Sequence, residues 1–107
     1  MKAITFGSCS HVGMVRENNQ DFFGKFPYDS LDLSTSKGQL FVVADGMGGH
    51  NAGRDASELA VNILNYYYFS IPKDNIAESL RQAFQGTNEH IYHYSRNSPE
   101  HEGMGTT

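Results

Sequence analysis

Two hydrophobic periods divide the chain: short apolar runs of strand length up to residue 46, and helical spacing from residue 53 onward. Ala3 to Ser8 is apolar and β-prone enough for a strand, and the Gly-, Arg- and Asn-containing stretch from His11 to Asn19 reads as a turn or loop. Asp21-Phe22-Phe23-Gly24-Lys25-Phe26 is a second strand candidate, followed by a polar connector from Pro27 to Lys37. Gln39 to Ala44 is nearly unbroken in its apolar character, the pattern of a strand buried on both faces, and it ends at the turn-forming dipeptide Asp45-Gly46.

From Gly53 to Phe69 the positions Ala56, Leu59, Ala60, Ile63, Leu64 and Tyr67 define one helical face. Tyr66 to Phe69 are four consecutive aromatics, which cannot all face one side and read as core plus helix end. Pro72 ends that helix, and Asn75-Ile76-Ala77-Glu78 has the spacing of a capping box opening a second one. Its apolar face is Ile76, Leu80, Ala83, Phe84, Thr87, Ile91 and Tyr94, and Ser98-Pro99 stops it. Thr106-Thr107 resembles the start of a further strand. Strands first and helices after predict an α+β fold with helices layered on an antiparallel sheet.

Composition narrows the class. A length of 107 residues allows one domain, and Leu, Ile, Val and Phe total 23 of them, enough for only a thin core. The net charge of −4 is too small to mark a disordered chain. Eight Lys and Arg against twelve Asp and Glu, without a basic run, argue against nucleic acid as a partner. No apolar stretch has the length of a membrane span, and the N-terminus has too short an apolar core for a signal peptide. The single cysteine, Cys9, excludes an internal disulfide framework and fits a cytoplasmic location.

Two segments carry candidate chemistry. Asp45-Gly46-Met47-Gly48-Gly49-His50-Asn51-Ala52-Gly53 lies between a buried strand and a helix. It matches neither the dinucleotide fingerprint, because position 51 is Asn, nor a P-loop, because Lys is missing from it. What it offers is a carboxylate and exposed backbone carbonyls, hard oxygen donors of the kind Mg2+ and Mn2+ prefer, although Asp-Gly is also an ordinary turn. The second segment runs from Gly13 to Asp21, where Arg16 is a permanent cation with a fork suited to phosphate and Asp21 follows five residues later. Carboxylates for a metal pair and a guanidinium for phosphoryl oxygens are the parts of phosphate ester hydrolysis. On bare chemistry Arg16 and Asp21 read equally as a surface charge pair worth about 0–1 kcal/mol. A zinc site from His90, His93 and His101 is disfavoured, because His90 and His93 fall off the apolar face of the second helix.

Taken together, Val15-Arg16-Glu17-Asn18-Asn19-Gln20-Asp21, Val43-Ala44-Asp45-Gly46-Met47-Gly48-Gly49-His50 and Gly103-Met104-Gly105-Thr106-Thr107 resemble the metal-dependent serine/threonine protein phosphatases of the 2C class, in their bacterial version. The resemblance implies a four-layer α-β-β-α sandwich with two antiparallel sheets and two Mn2+ or Mg2+ ions in a cleft at one edge. It implies that Asp45 bridges the metals, that the Gly46 carbonyl is a further ligand and that Asp21 serves the metal centre. Arg16 would bind the substrate phosphate, and a metal-bridging water would attack phosphorus directly. Substrates would be phosphorylated Ser/Thr proteins, including targets of Ser/Thr kinases.

The sequence departs from the family at three points. Gln20 stands where many relatives have Glu, which predicts weaker metal retention. Met47 stands where animal enzymes have a His proposed as general acid, and His50 is not a safe substitute. The family's later Gly-Asp, Asp-Gly and Asp-Asn motifs do not occur, so residues 1–107 are expected to be an incomplete N-terminal portion, inactive alone. The rival expectation is a non-catalytic phosphatase-like interaction module.

Overall fold

The computed structural model describes residues 6–14, 19–26, 37–49, 51–71, 75–97 and 99–107. Their elements are β1 (Asp21–Phe26), β2 (Leu40–Met47), α1 (Ala52–Ser70), α2 (Ile76–Arg96), a 3-10 turn (Pro99–His101) and β3 (Gly105–Thr106). The strands form an antiparallel sheet in the order β1-β2-β3. The class is α+β, as expected. Of the first predicted strand, Phe6 to Ser8 adopt no regular structure and residues 3–5 lie outside the described residues. Most of the Pro27–Lys37 connector, Pro72 and Ser98 also lie outside them.

β2 alternates between its two faces. Val42, Ala44 and Gly46 point toward α1, while Phe41, Val43, Asp45 and Met47 point away. Among the described residues only one face is covered, so the expected burial on both faces is not met: Phe41 is 42% and Val43 80% exposed. The apolar character is there, but both helices pack on the α1 side. On the outer side Phe6 lies edge-on to Phe41, with ring centroids 5.1 Å apart.

α1 meets three partners, which explains why its buried stripe differs from the predicted one. Ala52 and Ala56 pack with Ile91 and Met104, Val61 with Phe26 and Ala44, and Leu64 and Tyr68 with Ala83. Leu59, Ala60, Ile63 and Tyr67 are only half-buried. α2 opens as predicted, with the Asn75 side chain accepting a hydrogen bond from the Glu78 N–H at 3.0 Å. Its buried stripe is Ser79, Ala83, Thr87 and Ile91. Phe84, predicted on the core face, is 57% exposed. It borders an apolar cavity of about 160 Å3 together with Val42, Leu64, Ile91 and Thr106. Ile76 and Tyr94 of the predicted face are likewise exposed.

The aromatic run ends α1 by a specific clasp. The buried Lys37 ammonium donates to the carbonyls of Tyr68 and Ile71, placing a cation at the helix C-terminus, where the dipole favours it. The Tyr68 hydroxyl returns a bond to the Lys37 carbonyl at 2.9 Å. Burial pushes the Tyr68 pKa up. As pH climbs through the ordinary tyrosine value near about 10, the unfolded chain therefore loses this proton before the folded chain does. That contribution to stability is fully present below the unfolded value and is lost as pH rises toward the folded one. Urea midpoints measured from pH 9 to about pH 11 are expected to fall less steeply for Tyr68→Phe than for the natural protein. Near neutrality that variant loses about 1 kcal/mol with its hydrogen bond.

Candidate functional site

The antiparallel register sets Asp21, the first residue of β1, directly opposite Asp45 of β2. Gly46 donates its N–H to the Gln20 carbonyl at 3.1 Å, whereas Asp45 exchanges both its backbone bonds with Thr107, at 2.7 and 2.8 Å. Asp21 and Asp45 therefore form a non-hydrogen-bonded pair, the type with side chains closest and Cα atoms about 4.5 Å apart. Both residues are exposed on the outer face of the sheet. Like charges placed directly opposite are destabilising. Among the described residues neither carboxylate has an ion-pair partner. Lys25, on the same face, instead lies over the Phe6 ring, 5.0 Å from its centre.

Asp45-Gly46 is not the turn its composition predicts; both residues stay within β2, held from both sides. The glycine-rich segment turns out to serve packing behind the carboxylates. A Cβ on Gly46 would stand 1.8 Å from the Gly53 carbonyl oxygen and 2.9 Å from that of Gln20. Gly48 has φ +148°, and a Cβ there would meet the Ala52 Cβ at 2.8 Å. The first turn of α1 is thereby brought against the end of β2. Gln20 packs behind the pair as well: its amide donates to the Gly48 carbonyl at 3.5 Å, and a Cβ on Gly53 would strike its Oε1 at 2.7 Å.

Several supporting residues carried no role in the sequence reading. Asn19 accepts the Asp21 N–H through its side chain at 3.0 Å and donates to the Ser10 hydroxyl at 2.6 Å, which fixes the start of β1. The fully buried Ser57 donates to the Gln20 carbonyl at 2.6 Å. Thr106 donates to the Asp45 carbonyl at 2.9 Å. The asparagine two residues before a strand start is a side-chain turn signal visible in sequence. The two hydroxyls bond across long sequence separations and left none.

A cavity of about 300 Å3 borders Asp21 and is lined by Cys9, Ser10, Phe23 and Val43. Arg16 and His50 lie outside the described residues. His90 and His93 are exposed. Among the described residues no group of three or more His, Cys, Asp or Glu side chains converges as a complete metal shell would. Asp21 and Asp45 supply two hard-oxygen donors, which fit part of a divalent-cation site.

No protein-family profile matches the chain. Individual relatives do. A 2C-type protein phosphatase relative in Streptococcus pyogenes is 38% identical over 100 residues, covering 90% of this chain and 37% of its own length. The serine/threonine phosphatase stp of Listeria innocua is 34% identical over 99 residues, covering 89% and 37%. Among solved structures, a bacterial serine phosphatase superposes with a TM-score of 0.74 at 33% identity, over 92% of this chain and 44% of its own. The Streptococcus agalactiae serine/threonine phosphatase gives 0.69 at 34% identity, over 92% and 39%.

The chain is homologous to the N-terminal part of bacterial 2C-type serine/threonine phosphatases. It spans little more than a third of the length of these curated phosphatases. The small antiparallel sheet and two helices of this chain superpose on part of those solved phosphatase structures. No helix among the described residues is long and apolar enough to cross a membrane.

Proposed function

We propose that residues 1–107 form the N-terminal portion of a 2C-type phosphatase domain that hydrolyses phosphoserine and phosphothreonine esters of proteins. The observation that carries this reading is the Asp21/Asp45 pair: two exposed carboxylates set opposite each other at one end of the β1–β2 ladder, on a chain homologous to phosphatases. A cation seated between the two carboxylates would offset their repulsion. Asp45, Asp21 and the Gly46 carbonyl, which lies on the β1 side of β2 beside Gln20, would contribute to holding two Mn2+ or Mg2+ ions. When bound, the ions would supply a water of lowered pKa and neutralise phosphoryl charge. Arg16, five residues before Asp21, would hold the phosphoryl oxygens through its guanidinium fork.

The same reading extends to the architecture. The outer face, exposed among the described residues at Phe41 and Val43, is of the kind a second sheet would cover at about 10 Å spacing, which would give the four-layer sandwich with its dimetal cleft. Substrates would be cytoplasmic phosphoproteins, among them products of Ser/Thr kinases.

A chimera tests the proposal: this chain replaces the homologous segment of the Listeria innocua phosphatase. The chimera is expected to hydrolyse a phosphothreonine peptide with Mn2+, and to lose at least about 100-fold in rate on Asp45→Asn. The 107-residue chain alone is expected to be inactive. A folded chimera without activity, or one indifferent to Asp45→Asn, contradicts the reading and favours the interaction module.

A further inference from the structure

We infer that Thr106 is a positioning residue for Asp45, holding the bridging carboxylate in register through its hydroxyl. The inference rests on the cation site proposed above and adds to it a residue outside the carboxylate pair. Asp45 is gripped along one edge by β3: its N–H donates to the Thr107 carbonyl, and its carbonyl accepts from the Thr107 N–H. The Thr106 hydroxyl supplies the second hydrogen bond to that same carbonyl, at 2.9 Å across 61 residues of sequence. Its single proton has a competing acceptor in the Thr107 carbonyl at 3.3 Å, and the shorter contact is the one to Asp45. Both lone pairs of the Asp45 carbonyl are thus occupied, which fixes the peptide plane from which the carboxylate projects.

Gly105 and Thr106 pair with Met47 and Gly46, and the backbone of Thr107 continues the ladder opposite Asp45. Behind β3, Met104 is buried against Ala52, Ala56 and Ile91, anchoring the segment from the other side. Thr106 thereby links the helical core to the carboxylate pair.

The test uses the 107-residue chain, with Mn2+ affinity read from paramagnetic broadening of the Asp45 and Thr107 amide signals and the thermal midpoint as a control for folding. Thr106→Val keeps the shape and strand preference and removes the donor. It is expected to weaken Mn2+ binding about tenfold at an unchanged midpoint, as loss of a supporting partner behind a ligand does. Thr106→Ser keeps the donor and is expected to restore the natural affinity. A Thr106→Val chain that binds like the natural one, or a Thr106→Ser chain as weak as Thr106→Val, overturns the inference and leaves the cation site standing. A natural chain that shows no Mn2+ broadening at Asp45, or the same broadening after Asp45→Asn, overturns the cation site and this inference with it.

Discussion

Gly46→Ala is expected to be the most damaging glycine-to-alanine substitution in this chain. The new Cβ would lie 1.8 Å from the Gly53 oxygen and 2.5 Å from its carbonyl carbon, backbone atoms of the first turn of α1. Neither strand nor helix can swing a flexible side chain aside, so the turn must lift from β2. Lifting it strains the Gly46–Gln20 hydrogen bond and opens the pocket in which Ser57 bonds the Gln20 carbonyl. A loss of about 3 kcal/mol or more follows, at the upper end for overpacking. For a domain of this size that corresponds to a fall in thermal midpoint on the order of 10–20 °C. Gly49→Ala, where nothing lies within 4 Å, is the matched control and is expected to stay within about 0.5 kcal/mol. Thermal melts of the two variants side by side check this, and equal midpoints would refute the close approach of α1 to β2.

Asp45→Asn is expected to act in opposite directions with and without cation. In metal-free buffer it removes one of two like charges directly opposite each other, and stability should rise by about 0.2–1 kcal/mol. With Mn2+ the natural chain gains stability by mass action and the variant does not, so the order reverses. Asp21→Asn should behave the same way, since either substitution breaks the pair. Urea unfolding with EDTA and with Mn2+ measures both signs. A variant less stable than the natural chain in EDTA would mean that the pair is held by local structural bonds and gains nothing from a cation.

How much of this was legible beforehand depends on the range of the forces involved. Asp21–Phe26 and the Asn75 cap were readable because strand alternation and capping are local. The boundary at Asp45-Gly46 was not: the dipeptide favours a turn, but Thr107, Gln20 and Gly53 hold it extended from distant parts of the chain. The glycine-rich composition predicts exposed backbone, yet Gly46 and Gly48 lie against the first turn of the protein's own helix. Phe84 followed the helical period correctly and still lies exposed, because periodicity names a face without saying what covers it. Of the candidate site, Asp21 and Asp45 are brought together by strand register, which follows from the pairing of β1 with β2 rather than from either motif.

A Mn2+ titration of the isotopically labelled chain, observed by NMR, tests the claim that the Asp21/Asp45 pair is a divalent-cation site. The claim predicts broadening that begins at the amides of Asp21, Asp45 and Gly46 and is absent in the Asp21→Asn and Asp45→Asn variants. Broadening that spreads evenly over the surface carboxylates, unchanged by either substitution, would contradict it.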